Sequence, residues 1–433
     1  MDFSLANSGR RALARCDILG VVPFSENEEF LSRPYLTAPH RNALDRVKTW
    51  MIAAGMSVRL DPIGNLVGRY EGESAQSPTL LIGSHIDTVC DGGRYDGALG
   101  VMLGIDCVEH FNVLGRRLPF AIEVIAFGDE EGSRFPASML CSAALARGVD
   151  PASLELTDAD GISLALALAD FGLDPAAVAQ AMRDPSKILG YVEAHIEQGP
   201  VLEAEDLPVG VVTSIAAQLR LKARFVGEAG HAGTTPMRLR RDALAAAAEG
   251  VLAVERVCNS GQVHLVGTVG RIQTSTSAFN VIAGEAEIGI DLRAASRSAR
   301  DDAAAQVRLE LEAIAKARGV GLEFTVVQDL PGCSCDPRLI ELMDHAVEDV
   351  GVRPYRLMSG AGHDAMALAP LTPVAMLFVR NERGVSHNAA ERVAADDSAV
   401  AAEALIAFVE RLAQAPLATD DRNGPFALET VQA

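Results

Sequence analysis

Five residues stand in short local settings that suit a divalent ion. They are His85 in Gly83-Ser84-His85-Ile86-Asp87, Asp96 in Tyr95-Asp96-Gly97, Glu131 in Asp129-Glu130-Glu131-Gly132, His195 in His195-Ile196-Glu197-Gln198-Gly199, and His387 in Ser386-His387-Asn388. Imidazoles and carboxylates can hold two such ions when one carboxylate bridges them. A pair about 3.5–4 Å apart activates a water and polarises an acyl oxygen. The set predicts a two-metal hydrolase and leaves open which C–N bond it cuts.

An isolated histidine is more often a core or surface residue than a ligand, and His40, His110, His264 and His345 are read that way. His85 differs, because Asp87 follows two positions later at an expected strand end and can orient the imidazole from behind. Asp96 lies in the glycine-rich run 91–97 and alone would pass for a turn aspartate; beside His85 it becomes the candidate bridge. Glu130 and Glu131 on a strand end would point to opposite sides, so one can ligate while the other faces the substrate as general base. We assign Glu131 as ligand and Glu130 as base; spacing leaves the reverse, or a solvated acidic turn, open. Gln198 can donate an amide hydrogen bond to a substrate. His231 sits among small residues in Ala229-Gly230-His231-Ala232-Gly233-Thr234, where backbone can approach a ligand closely. In a lid it suits stabilising an oxyanion better than ligating.

The elements that must position these residues alternate between strand and helix type, which favours an α/β sheet. The apolar runs 79–83, 120–127 and 374–379 read as buried strands, each ending just before a motif. Sites on such sheets gather beyond the carboxyl ends of the strands. The middle of the chain has another rhythm. Ala286, Ile288, Ile290 and Leu292 alternate with polar residues or glycine, as in a half-exposed antiparallel strand. Segments 219–226 and 263–272 also read as strands. Helices are expected over about 239–258, with Leu244, Ala248, Val251 and Leu252 on one face, and over about 299–318. This order predicts an inserted α+β domain at 214–331, a four-stranded sheet with two helices on one face, within a catalytic domain of residues 1–213 and 332–433. The helical spacing of Leu339, Leu342, Met343, Ala346, Val347 and Val350, a closing helix over 396–412 and a polar tail from Thr419 complete the chain.

The chain has 433 residues and a net charge of −20, which argues against nucleic acid and anionic membranes as partners but not against an anionic substrate in an arginine pocket. No apolar run approaches the roughly 20 residues needed to cross a bilayer. Met1-Asp2-Phe3-Ser4 lacks a signal-peptide pattern, and the seven scattered cysteines read as free buried thiols, so a cytoplasmic location is expected.

The motifs Gly83-Ser84-His85-Ile86-Asp87-Thr88, Asp129-Glu130-Glu131-Gly132-Ser133-Arg134-Phe135, His195-Ile196-Glu197-Gln198-Gly199-Pro200, Gly230-His231-Ala232-Gly233-Thr234 and Ser386-His387-Asn388 occur in this order. Together they resemble amidases of the hydantoinase/carbamoylase type, in the M20 metallopeptidase-like group, from about residue 15 to about residue 412. The resemblance implies a mixed-sheet di-metal domain and a ferredoxin-like insert that serves as lid and dimer surface. It implies one ion on His85, Asp96 and His195, a second on Asp96, Glu131 and His387, and Glu130 as base. Manganese is expected first, with zinc or cobalt as alternatives. It further implies that His231 serves the partner subunit's site in a homodimer. Substrate contacts would fall on Arg220, Asn280, Arg293 and the loop Gly360-Ala361-Gly362-His363-Asp364. Arginines on the strands of an acidic chain also suit a small carboxylate, through a planar bidentate fork. Ala283 and Leu219 depart from the family pattern. Phe135-Pro136 and Pro208-Val209-Gly210-Val211-Val212 point toward the allantoate amidohydrolases. Allantoate would then give ureidoglycine, carbon dioxide and ammonia. N-carbamoyl-L-amino acids are the alternative substrates, ureidoglycolate and β-ureidopropionate are less favoured, and a metal-free binding protein on the same fold is the alternative of a different class.

Overall fold

The structure is a computed structural model that describes residues 8–259, 261 and 264–415. The polar tail from Thr419 and the expected strand start at Val263 lie outside these residues. The chain divides into two compact units: residues 1–211, 338–355 and 377–433, and residues 212–337 with 356–376. The expected insert at 214–331 falls inside the second unit, which also takes in the segment 356–376.

The first unit is built on a mixed sheet. In spatial order its strands are Ser57–Leu60, Leu66–Tyr70, Ala121–Phe127, Thr79–His85 and Ile188–Ile196, followed by Val374–Val379 and Val209–Ile215, which the division cuts. Thr79–His85 runs parallel to both neighbours, and every residue of it and of Ala121–Phe127 is buried. Such strands, covered on both faces, show continuous apolar sequence rather than alternation. Register then sets the site. His85 pairs with Phe127, so residues 86–87 and 128–131 leave the sheet side by side. Ile82 pairs with Val192, and the same register carried on by three residues brings His195 level with His85. The helices Ser8–Leu19, Ala98–Val113 and Ala395–Gln414 also belong to this unit.

The second unit contains an antiparallel sheet in the order Gly321–Leu330, Ala217–Val226, Glu285–Ala294 and Leu265–Thr274. The helices Ala243–Cys258 and Arg297–Arg318 connect its strands. Leu219, Leu221, Ala223 and Phe225 face a core with Ala286, Ile288, Ile290 and Leu292, while the alternate residues Arg220, Lys222 and Arg224 face the other way. The strand–helix–strand–strand–helix–strand order with this pairing is the ferredoxin-like arrangement expected.

One expected helix face is wrong. The helix begins at Ala243, capped by Asp242 accepting from Ala245 N at 3.1 Å, and Met237–Leu239 forms a separate short turn. Leu244 and Leu252 are 42% and 54% exposed, and the buried stripe is Ala243, Ala246, Ala247, Gly250, Ala253 and Val254. Small residues let this helix lie close to its sheet: a methyl on Gly250 would press on Leu311, Ile288 and Phe225. Reading large apolar residues as the core stripe missed a face built for close approach. The expected burial of the cysteines holds only in part: Cys16, Cys107, Cys141 and Cys335 are buried, and Cys90 is exposed.

Candidate metal centre

In the first unit the five candidate ligands converge. Asp96 Oδ1 lies 3.2 Å from His195 Nε2 and 3.6 Å from His85 Nε2. Its other oxygen, Oδ2, lies 3.3 Å from His387 Nε2, which is 3.7 Å from Glu131 Oε1. One carboxylate thus divides its two oxygens between two groups, His85–Asp96–His195 and Asp96–Glu131–His387, each compact enough to hold an ion. The chemistry of the donors fits two divalent cations with Asp96 as bridge.

The electrostatics point the same way. Burial opposes it, yet hydrogen bonds from His195, His387 and His85 hold the Asp96 carboxyl well below its ordinary range. Burial likewise opposes charge on His85, but Asp87 and Asp96 drive its imidazole well above its ordinary value. The hydrogen bond to Asp96, aided by the charge of Glu131, lifts His387 to about 9. Burial raises Glu131 to about 7. Carboxylates at this density draw cations, and protons take that place on the imidazoles when no metal does.

Local structure explains why these side chains meet. Asp96 precedes the helix Ala98–Val113, and Gly97, at φ +64°, makes the turn; a Cβ there would collide with the His85 imidazole. Gln198 and His387 adopt φ of 57° and 53°, left-handed conformations that cost L-residues about 1–2 kcal/mol and collect at functional sites. Asp87 does more than the sequence suggested. His85 Nδ1 lies 3.1 Å from the Asp87 carbonyl oxygen and 3.5 Å from its carboxylate. The carboxylate also accepts from Glu130 N at 3.1 Å and Glu131 N at 3.2 Å. Asp87 therefore pins the glutamate loop to the histidine strand.

The expectation that Glu130 and Glu131 face opposite sides fails. The strand ends at Phe127, so both lie in a loop without strand alternation, and both carboxylates come close to His85. Gln198 turns its amide toward the cluster, donating to Asp96 Oδ2 at 2.9 Å and to Ser386 Oγ at 3.0 Å. Sequence reading missed Ser386, whose hydroxyl donates to Asp96 Oδ2 at 2.7 Å, and Glu391, which binds the turn carrying Asp96. Their place within four residues of His387 was the available signal.

The remaining expected residues lie in the second unit. Arg220 is level with Asp291, and Arg293 with Gln218, across neighbouring strands. Asp291 gathers them. Arg293 donates to both its oxygens at 3.0 Å, Arg220 Nε donates to Oδ2 at 3.0 Å, and Gln218 donates at 2.8 Å. Burial opposes the charge, but these hydrogen bonds hold the Asp291 carboxyl below its ordinary value. Arg293 Nη1 also donates to Gly360 O at 2.5 Å, which ties it to the loop containing the exposed Gly362. His231 pairs with Val281, and the Asn280 carbonyl accepts from Ala232 N at 2.9 Å. His231 and Asn280 are exposed, and His231 Nδ1 accepts from Gly233 N at 3.0 Å. Asp291 was another residue sequence reading missed; its position between the two arginines in register was the signal.

Comparison with known proteins completes the picture. Residues 81–411 match the model of peptidase family M20/M25/M40. The chain is 42% identical over 384 residues to an N-carbamoyl-L-amino acid amidohydrolase of Geobacillus stearothermophilus, covering 89% of this chain and 94% of that one. It is 40% identical over 430 residues to an allantoate deiminase of Arabidopsis thaliana, covering 92% and 81%. A crystal structure of a hydantoinase/carbamoylase family amidase from Burkholderia ambifaria superposes with a TM-score of 0.85 at 34% identity, covering 95% of this chain and 98% of that one.

Proposed function

The chain belongs to peptidase family M20/M25/M40, among the amidases of hydantoinase/carbamoylase type, and from that membership we propose that its substrate is allantoate. At the level of the family it is a metal-binding hydrolase that acts on a ureido or carbamoyl C–N bond in a small carboxylate. The observation that carries the reading is Asp96, with one oxygen turned to His85 and His195 and the other to His387.

His85, Asp96 and His195 would hold one divalent ion and Asp96, Glu131 and His387 a second, manganese in this proposal, and the pair would supply activation of the attacking water and polarisation of the ureido oxygen. Glu131 completes the ligand set, and Glu130 takes the proton of the attacking water and returns it to the leaving nitrogen. That division of labour is supported by the 3.7 Å approach of Glu131 to His387. Arg220 and Arg293 hold the substrate carboxylate through their remaining Nη hydrogens, since Asp291 occupies the Nε of each and one Nη2 hydrogen of Arg293, and Gly360 O one of its Nη1 hydrogens. Gln198, Asn280 and Gly362 complete the substrate contacts.

In this reading the second unit is a lid and dimerisation domain, and His231 stabilises the charge developing on the ureido oxygen in the partner's site. Two features support that assembly. The strands Gly321–Leu330 and Leu265–Thr274 are sheet edges, which favour pairing between copies. Phe279, fully exposed, lies two residues before Val281, the pairing partner of His231, with Met237 and Leu239 also exposed nearby in sequence. The negative net charge leaves nucleic acid and anionic membranes outside the proposal. Among the described residues no single helix is long and apolar enough to cross a membrane.

N-carbamoyl-L-amino acids are a second reading, favoured by the Geobacillus stearothermophilus relative. Both substrates join a ureido group to a carboxylate, so the arginines serve either. The test is kcat/KM of the manganese-loaded chain on allantoate and on a panel of N-carbamoyl-L-amino acids, followed by ammonia release. Preference for allantoate is expected. Preference for a carbamoyl amino acid would replace the primary reading with the second, and peptide cleavage without ureido hydrolysis would overturn both.

A further inference from the structure

Glu391 is 1% exposed, bears a carboxyl group and, among the described residues, belongs to none of the ligand groups. Its Oε1 accepts from Tyr95 N at 2.7 Å and from Asp96 N at 3.2 Å. The other oxygen, Oε2, is buried and has no hydrogen-bond partner among the described residues. The carboxylate packs on Gly93, where a Cβ would collide with it. Glu391 N in turn donates to Asn388 O at 3.0 Å, within the segment that bears Ser386 and His387. A buried carboxylate with an unused oxygen is costly to keep for packing alone. Here it joins two pieces of chain some 296 positions apart, one carrying the bridging ligand and the other a terminal ligand.

We propose that Glu391 is a positioning residue for the metal centre: it pins the backbone of the Asp96 turn to the His387 segment and so sets the spacing of the ligands that Asp96 and His387 contribute. The inference rests on the two-metal reading of those ligands and not on any choice of substrate. Groups that orient ligands from behind typically contribute about 10–100-fold to metal affinity. The role needs an acceptor at Oε1 and contact with a glycine at 93. It does not need a negative charge, because an amide oxygen can accept the same two N–H groups.

The experiment titrates the full-length apoprotein with manganese against a chromophoric chelator. Wild type should bind two ions per chain. Glu391→Ala should weaken at least one ion about 10–100-fold. Gly93→Ala, which displaces the carboxylate, should do the same, while Glu391→Gln should stay within about threefold of wild type. If Glu391→Ala does not fold, as judged by circular dichroism, the contrast between Gly93→Ala and Glu391→Gln carries the test. Unchanged affinity in both Glu391→Ala and Gly93→Ala would overturn the proposal. Equal losses in Glu391→Gln and Glu391→Ala would also overturn it, by making charge rather than the hydrogen-bond pin the cause. A wild-type chain that binds no manganese would overturn the metal reading itself, and this inference with it.

Discussion

The imidazole–carboxylate cluster of the first unit and the polar sheet face of the second are built in opposite ways. His85, His195 and Asp96 are 2%, 2% and 5% exposed, and hydrogen bonds from behind fix them. Arg220, His231, Asn280 and Gly362 are exposed, and Asp291 is the main anchor of the arginines. Groups that hold ions at fixed spacing gain from being finished when the chain folds, because a ligand out of place by an ångström loses the ion. Groups that meet a substrate which comes and goes stay solvated, and their desolvation is deferred to the moment of binding. In the proposed reading the cluster is complete within the first unit, and the arginine face is the half that waits for a substrate and a second copy.

The sharpest way to break this contrast is Glu130→Gln. If Glu130 is the base and not a structural ligand, kcat on allantoate should fall about 10²–10⁴-fold. Metal content should stay near that of wild type. Elemental analysis of the dialysed variant beside its kinetics distinguishes the outcomes. Loss of an ion would exchange the roles of Glu130 and Glu131, a possibility the loop leaves open by bringing both carboxylates close to His85.

A smaller effect tests whether the exposed half is completed by a second copy. His231→Ala should cost about 10²–10³-fold in kcat, as loss of one oxyanion donor does. Mixing it with Glu130→Gln subunits and re-equilibrating gives heterodimers in which one site has an intact Glu130 and an intact His231 from the partner. Activity should return to a fraction of wild type. No recovery, with heterodimers confirmed by native mass spectrometry, would mean His231 serves its own subunit or none.

The same contrast explains what the sequence disclosed. Metal ligands sit at strand ends and tight turns in short motifs, so His85, Asp96, His195 and His387 could be named from local context, and the register of Thr79–His85 against Ile188–Ile196 brought the first and third of them level. What local context hid were contacts made over long separations: Glu391 to residues 95 and 96, and Ser386 to Asp96. The work of Asp87 was hidden as well, because nothing near it in sequence shows that its carboxylate meets two backbone N–H groups 43 and 44 residues on. In the second unit, alternation located the strands, but the Ala243–Cys258 helix hid its buried face because it packs alanines and displays leucines. Hydrophobicity scales score side-chain size, whereas that interface was set by how closely the backbone must approach.

Arg293→Lys sharpens the reading of the arginine face. An ammonium cannot at once satisfy both Asp291 oxygens, the Gly360 carbonyl and a substrate carboxylate, all of which the planar fork can reach. KM for allantoate should rise about 10–100-fold, the equivalent of one or two charge-assisted hydrogen bonds, with kcat changed much less. Unchanged KM would place Arg293 outside the substrate site. A matched fall in kcat alone would mean that it acts only as the transition state forms.

The mildest perturbation is pH, and it should separate the two regions without a mutation. In the metal-free chain the His387 imidazole is held up to about 9 by its hydrogen bond to Asp96 and the charge of Glu131. An ion needs that imidazole neutral, so below pH of about 9 the ion must displace a proton, and above it no proton opposes binding. The sign follows: manganese affinity of the apoprotein rises with pH through the neutral range and levels off near 9 as far as this group is concerned. The slope should be roughly tenfold per pH unit for one displaced proton, and steeper if His85, also raised, gives up another. With saturating metal the substrate carboxylate meets the same planar arginine forks, so the KM for allantoate should stay nearly flat. Calorimetric titration in buffers of different ionisation heats counts the protons released. About one or more per ion is expected at neutral pH. An affinity independent of pH would mean the imidazoles are already neutral, and that hydrogen bonds among the ligands rather than a demand for positive charge hold the empty cluster together.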